Sequence, residues 1–126
     1  MADASLQRIY TFTGGLVVLQ DFPVVDRFDD RAVATADVGS YAPNAWGLYD
    51  MHGNAAEWTL SSYGAYPYRN DDGRNDSALQ DQKVVRGGSY FDRPRCCGSA
   101  FRLSYPSWQR VHNVGFRVVC ELAPPP

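Results

Sequence analysis

The chain has 126 residues, a formal net charge of −2 and no excess of basic residues. This length predicts one small domain, and the charge excludes nucleic-acid binding through a strongly positive surface. No stretch approaches the ~20 apolar residues that a membrane-spanning helix needs. Neither nucleic acid nor a membrane is therefore expected as a partner.

The cysteines and the first residues bear on the compartment. An odd number of cysteines allows at most one bridge within the chain, so Cys96, Cys97 and Cys120 make a poor disulfide framework. Residues 1–10 lack the charged start and apolar run of a signal peptide. Both observations favour a cytoplasmic location.

The first half of the chain predicts a helix, two strands and a loop. Residues 3–10 fit a short helix, and residues 11–22, apolar and β-branched around a Gly-Gly turn, fit a strand. Residues 24–44 are acidic and loop-like. Residues 45–51, AWGLYDM, mix aromatic and apolar side chains and predict a half-buried strand.

The second half predicts two strands separated by loops. Residues 61–82 are polar and rich in turn-forming residues, which indicates an exposed loop. Residues 84–88, VVRGG, predict a strand that ends at a glycine pair. Residues 115–122 alternate in part and predict the last strand, and residues 123–126 predict a disordered tail. With 13% aromatic residues, eleven glycines and eight prolines, the chain predicts an α+β or mostly β fold with long loops.

The segment GNAAEWT (53–59) admits two structural interpretations. Asn54 and Glu57 have the spacing of a capping box, in which a side-chain acceptor and a carboxylate satisfy the first N–H groups of a helix. Alternatively, their oxygens and the Ala55 carbonyl are ligands of the kind that calcium prefers. The residues alone favour the cap.

Two further groups also have an ordinary and a functional interpretation. The four aspartates within residues 26–37 suit a solvated acidic loop better than a second calcium loop. Cys96 and Cys97 lack the C-x-x-C spacing of a zinc site. Nearby arginines would lower a thiol pKa, but a small buried residue accounts for these cysteines better than a reactive one.

Three segments, taken together, closely resemble the C-terminal half of the formylglycine-generating enzyme family, also called the sulfatase-modifying-factor domain. They are residues 38–59, 84–95 and 99–119, and the resemblance covers about residues 21–121. The matching motifs are Pro43-Asn44, Gly47 through Trp58, Arg86 through Tyr90, Arg102, and Gly115-Phe116-Arg117. The resemblance implies an α+β, C-type-lectin-like fold with short antiparallel strands and long loops. Residues 1–122 would form a single domain that lacks the family's N-terminal half.

The resemblance also favours an ion over a helix cap. It implies that calcium is a cofactor, held by Asn54, by the Ala55 carbonyl and by Glu57. Asp30 and the Ala32 carbonyl match part of a second calcium site, but Leu16 stands where the family has an asparagine. Asn113 matches a residue that lines the family's substrate cleft.

The same resemblance argues against catalysis. Active members use copper(I) held by a C-x-x-x-x-C pair, and soft thiolates suit that ion. When residues 99–102 are aligned with the family's final Cys-x-x-Arg, Pro94 and Ser99 occupy the copper positions. Copper and formylglycine generation are therefore not expected. Because the matched part begins midway through a family domain, a partner chain or self-association is expected to complete the fold.

Two functions follow from these expectations. The first is a calcium-stabilised family domain without catalysis of its own. The alternative is a lectin-like module that binds a peptide or protein, similar to the variable proteins of diversity-generating retroelements. Its candidate contact residues are Tyr90, Phe91, Arg93, Tyr105, Trp108, Arg110, His112 and Asn113, of which Trp108 is expected to pack in the core instead. A related iron-dependent sulfoxide synthase would need a His-rich site, and the chain has two histidines.

Overall fold

The computed structural model describes residues 29, 31–32 and 34–120, and its centre is one four-stranded sheet. The strands are β1 (Ala56–Ser62), β2 (Gln82–Arg86), β3 (Leu103–Pro106) and β4 (Val114–Gly115), in the spatial order β3-β2-β1-β4. β2 pairs antiparallel with β1 and β3, and β1 pairs parallel with β4. The described residues include one short 3-10 helix, Pro94–Cys97, and no α-helix; none of their helices could cross a membrane.

The core lies on β2, which has a paired strand on each side. Val84 and Val85 are 3% and 1% exposed, because both faces of a central strand are covered. β-branched side chains suit such a pleated, buried position. On the Val85 face, Trp58 and Tyr105 meet edge to face, with ring centroids 6.2 Å apart. This aromatic pair links β1 to β3 across the central strand.

A buried lysine lies at the start of β2. Lys83 is 8% exposed, and its ammonium donates to Ser62 Oγ at 3.0 Å and to the Asp76 carbonyl at 3.3 Å. Asp81 adds a carboxylate oxygen at 3.5 Å. Burying an ammonium group is unfavourable unless it is paired and hydrogen-bonded. These three contacts therefore hold the end of the loop before β2 against the end of β1.

The strand predicted from the valine pair is confirmed, and so is the turn-rich loop, which fills the chain between Ser62 and Gln82. The strand predicted over residues 45–51 is wrong. The Asn44 side chain accepts from the N–H groups of Trp46 and Leu48 at 2.9 and 3.1 Å, which closes a tight turn there. Asparagine competes for backbone donors in this way, so the extended conformation is lost.

Three other expectations are wrong. No helix follows Asn54, because β1 begins at Ala56. Of the described part of the strand predicted over residues 115–122, which ends at residue 120, only Gly115 belongs to a strand. Trp108 is 78% exposed in the turn after β3, where it does not pack in the core. The helix predicted over residues 3–10, the strand over 11–22 and the tail over 123–126 lie outside the described residues.

Substitution in the glycine pair after β2, Gly87 and Gly88, tests how closely the 3-10 helix packs against it. Gly88 has φ +65°, and a Cβ there would lie 2.6 Å from Cys97 Sγ and 3.0 Å from the Cys96 carbonyl oxygen. Gly73 also has a positive φ, +77°, but a Cβ there would meet nothing within 4 Å. Alanine at either position incurs about 1–2 kcal/mol of left-handed strain. Gly88→Ala adds about 1–3 kcal/mol for overpacking.

Urea unfolding of the two variants checks this difference. We expect Gly88→Ala to lower the free energy of unfolding by clearly more than Gly73→Ala does. Equal losses would contradict the close approach of Cys96 and Cys97, at the end of the 3-10 helix, to the glycine pair.

Candidate functional site

A cleft of about 500 Å³ opens at the beginning of β1. Its lining combines carboxylates, an amide and a guanidinium group with backbone of the turn that precedes the strand. The polar side chains on its wall are those of Asp50, Asn54, Glu57 and Arg117, and Ala55 lines it as well. This cleft therefore brings together all three residues of the first predicted calcium site.

The turn that forms the cleft depends on left-handed backbone conformations. Asp50 and Asn54 have φ +54° and +62°, and Gly53 has φ +91°. Asparagine and aspartate tolerate this region better than other residues with a Cβ. The Gly53 N–H donates to the Gly87 carbonyl at 2.9 Å, and the Asn54 carbonyl accepts from the Tyr90 N–H at 2.7 Å. These bonds anchor the turn to the segment after β2.

Glu57 and Arg117 form a two-pronged ion pair across the cleft. Arg117 Nε donates to Glu57 Oε2 at 2.7 Å, and Nη2 donates to Oε1 at 2.5 Å. Nη2 also donates to the Tyr49 carbonyl at 3.0 Å. The Glu57 hydrogen bonds raise the pKa of the Arg117 guanidinium, partial burial opposes them, and the charge of Asp50 adds to the rise. Parallel N–H to O bonds of this kind fix orientation as well as charge.

Asp50 is the residue of the cleft that sequence reasoning missed. Its Oδ2 accepts from the Gly39 N–H at 2.8 Å. Its Oδ1 is buried and has no hydrogen-bond partner within the described part of the chain. A buried carboxylate oxygen without a partner is unfavourable. The one sequence signal was its place in the motif GLYDMHGN, four residues before Asn54.

The Asn54 side chain has partners that the calcium interpretation did not predict. Oδ1 accepts from the Ala36 N–H at 3.0 Å, and Nδ2 donates to the Ala36 carbonyl at 3.1 Å. This pair of bonds holds the chain around Ala36 against the turn. One lone pair of Oδ1 remains for another donor or a cation, because an amide oxygen carries two.

Only part of the second predicted calcium site lies within the described residues. Ala32 is half-buried, and Asp30 lies outside the described residues. Among residues 29, 31–32 and 34–120, no three His, Cys, Asp or Glu side chains cluster as metal ligands would. Any cation in the described cleft must therefore be held mainly by two carboxylates and by carbonyl oxygens, a donor set that suits calcium rather than a transition metal.

A buried polar network lies beyond the glycine pair. Asn113 Nδ2 donates to Ser89 Oγ at 2.7 Å, and Ser89 Oγ donates to Asp92 Oδ2 at 2.6 Å. Ser89 is fully buried and Asn113 is 9% exposed. Cys97, 4% exposed, lies close by: burial raises the pKa of its thiol, and the negative charge of Asp92 adds to the rise. Asn113 is thus a packed member of this network.

The other predicted contact residues do not form one surface. Phe91 meets Tyr90 and His112 edge to face, with ring centroids 6.2 and 5.9 Å apart. Tyr105, on β3, packs instead on Trp58 of β1. The two arginines of the set, Arg93 and Arg110, are exposed.

The positions matched to the family's copper cysteines contain no soft donor. Pro94 begins the 3-10 helix, and Ser99 follows it in a turn; both are exposed. Cys97 lies between them, and its carbonyl accepts from His52 Nδ1 at 2.6 Å.

A small mixed sheet with long ordered loops, and a polar cleft where its longest strand begins, define a C-type-lectin-like domain of the α+β class. Residues 11–122 match the model of the sulfatase-modifying factor enzyme 1-like domain, so the chain belongs to this family. Among its relatives is the inactive C-alpha-formylglycine-generating enzyme 2 of Bos taurus, 33% identical over 113 residues. That match covers 83% of this chain and 33% of the relative.

The formylglycine-generating enzyme of Streptomyces coelicolor is 34% identical over 104 residues, covering 76% of this chain and 32% of that protein. The chain thus spans about a third of the length of these relatives. PvdO from Pseudomonas aeruginosa superposes with a TM-score of 0.56 at 25% identity, over 92% of this chain and 50% of PvdO. Treponema denticola variable protein 1 superposes with a TM-score of 0.54 at 30% identity, over 66% and 31%.

The environment of Cys97 predicts how the thiols react. Alkylation requires the thiolate. Burial of Cys97 and its raised pKa both suppress that form, whereas Cys120 is exposed. In a Cys96→Ser variant treated with iodoacetamide, we expect Cys120 to react first and Cys97 to react at the rate of unfolding, read by peptide mass spectrometry. Equal alkylation rates for Cys97 and Cys120 in the folded chain would contradict the burial of Cys97. In urea, which unfolds the chain, the two rates should become equal.

Proposed function

We propose that this chain is a calcium-stabilised domain of the sulfatase-modifying-factor family that does not generate formylglycine. The observation that carries the calcium part is the buried Oδ1 of Asp50, which has no hydrogen-bond partner among the described residues and lies in the same cleft as Glu57 and Ala55. A cation would satisfy that oxygen and remove the penalty of burying it.

The donor set of the cleft fits calcium. Calcium takes six to eight oxygens, including carboxylates and backbone carbonyls, and accepts irregular geometry. Asp50 and Glu57 supply two carboxylates, and the Ala55 carbonyl and the remaining lone pair of Asn54 are further oxygens. The ion pair with Arg117 does not exhaust Glu57, because two carboxylate oxygens offer about four lone-pair positions.

The charge balance of the cleft supports a cation as well. Asp50 and Glu57 carry two negative charges, and Arg117 neutralises one of them. A bound calcium ion would act as a structural link between the turn at residues 50–54 and the first residues of β1. Its contribution would be to stability, since ligands that bind only the native state stabilise it.

Thermal unfolding in calcium and in EDTA tests the site with three variants. At a free calcium concentration ~100 times the dissociation constant, calcium should raise the free energy of unfolding of the native chain by about 2.7 kcal/mol. Asp50→Asn should lose this response to calcium. In EDTA it should be no less stable than the native chain, because it removes a buried charge and keeps an acceptor for the Gly39 N–H. Glu57→Gln should lose the response and also be weaker in EDTA, because its ion pair with Arg117 is broken.

Asp71→Asn is the matched control, since Asp71 is a 70%-exposed partner of Arg69 in the loop before β2. It should keep the full response to calcium. A native chain that unfolds identically in calcium and EDTA would contradict the proposal, and so would an Asp50→Asn variant that still responds.

The absence of formylglycine generation rests on the donors at the copper positions. Pro94 has no side-chain ligand atom, and Ser99 offers a hydroxyl where copper(I) prefers a thiolate. The Cys97 thiol is buried, with its pKa raised, so it stays protonated. The relatives include a protein named inactive as well as enzymes named formylglycine-generating, so membership of the family alone does not decide activity.

A direct assay checks this part of the proposal. The chain is incubated with a Cys-x-Pro-x-Arg peptide, copper and oxygen, and the peptide mass is followed. We expect no aldehyde, with an active formylglycine-generating enzyme as the positive control. Aldehyde formation by this chain would refute the non-catalytic assignment while leaving the calcium site untouched.

The alternative, a module that binds a peptide or protein ligand, is consistent with one comparison. Treponema denticola variable protein 1 shares the fold at 30% identity. Against it, the predicted contact residues divide between the cluster of Tyr90, Phe91 and His112 and Tyr105, which packs on Trp58 instead. A partner chain or self-association that completes the domain remains a proposal.

A further inference from the structure

We propose that a second pocket, distinct from the calcium cleft, binds a single oxyanionic group: sulfate, phosphate or a carboxylate. We call it the arginine pocket. It is a cavity of about 90 Å³, and its charged lining residues are Arg74, Arg86 and Arg102. No aspartate or glutamate is among its described lining residues. Pockets for whole small molecules measure about 300–1,000 Å³, so this one fits one anionic group rather than a complete metabolite.

Arg102 is held in place by groups that leave its charge uncompensated. Its guanidinium lies 4.0 Å from the ring centroid of Tyr66 and 4.8 Å from that of Tyr63. Nη1 donates to the Gly64 carbonyl at 3.0 Å. The two tyrosine rings hold the guanidinium through cation–π contacts, and the bond to Gly64 uses one of its five N–H donors. Further N–H donors therefore remain for an oxyanion.

Arg86 likewise has no carboxylate partner in the described part of the chain. Its cross-strand neighbour in the sheet is Glu57, but both Glu57 oxygens are bound by Arg117. Its own Nη1 donates to the Ser99 carbonyl at 2.7 Å. A carbonyl oxygen positions the guanidinium without neutralising it. A forked guanidinium with free donors is well suited to bind carboxylate or phosphate.

The carboxylates near the pocket are already paired. Asp72 bonds to Arg74 through both oxygens, and Asp81 accepts from Ser62 and lies 3.5 Å from the Lys83 ammonium. Among the charged residues that line the pocket, Arg86 and Arg102 are therefore left without a carboxylate partner in the described part of the chain. Tyr68 contributes a further donor, because its hydroxyl accepts from Asn75 Nδ2 at 2.5 Å and keeps its own hydrogen.

The test is sulfate binding by the full chain, measured by calorimetry at constant ionic strength, since charge screening alone changes stability. We expect saturable binding to the native chain and an affinity at least tenfold lower for Arg86→Gln and for Arg102→Gln. Arg95→Gln, at an exposed position outside the pocket, is the matched control and should bind as the native chain does. Phosphate and acetate titrations then tell whether a tetrahedral or a carboxylate group is preferred.

Sulfate also stabilises proteins without binding them, by exclusion from their surface. An equal rise in melting temperature in all variants, with no calorimetric saturation, would overturn the proposal. Should Arg102→Gln fail to fold, Arg102→Lys is the substitute, which keeps the charge but loses the stacked fork; it should also bind sulfate more weakly. Each titration is repeated in EDTA, which removes calcium. A loss of sulfate binding by a variant in EDTA then cannot be caused by an effect on the proposed calcium site.

Discussion

The left-handed turn at residues 50–54 determines where the sheet begins and what its cleft contains. Three of its five residues have positive φ, and hydrogen bonds to Gly87 and Tyr90 fix the turn to the segment after β2. Because the turn redirects the chain, Ala56 enters β1 and Glu57 faces the cleft beside Asp50. The turn that leads the chain into β1 therefore also places the carboxylates of Asp50 and Glu57 in the same cleft.

The glycine pair after β2 has a complementary role. Gly88 allows Cys97 to approach the backbone closely, and Ser89 follows as the buried centre of a network with Asp92 and Asn113. Such satisfied polar groups specify one arrangement of the loop, because any displacement would leave a buried donor or acceptor unpaired. In this chain, Cys97 fills space beside that network, and burial raises the pKa of its thiol.

Parts of this arrangement were readable from the sequence. The valine pair predicted β2, because β-branched residues before two glycines have few other structures open to them. The segment containing Asn54 and Glu57 was located, but Asp50 was not, since an unpartnered oxygen is a property of three-dimensional burial. The strand expected at residues 45–51 failed because the Asn44 side chain captured backbone donors locally. Residues after Gly115 have strand-like composition but no described neighbour to pair with beyond β4.

The two proposed sites have opposite charge and share one feature of the sheet. Glu57 and Arg86 lie opposite each other on β1 and β2, a placement that usually favours a cross-strand ion pair. Instead, Glu57 binds Arg117 on the wall of the cleft, and Arg86 donates to the Ser99 carbonyl. Arg86 is therefore left without a carboxylate partner in the described part of the chain. If the pair formed instead, Arg86 would use on Glu57 the N–H donors that the proposed arginine pocket offers to an anion. The proposed anion site therefore depends on the separation of these two side chains.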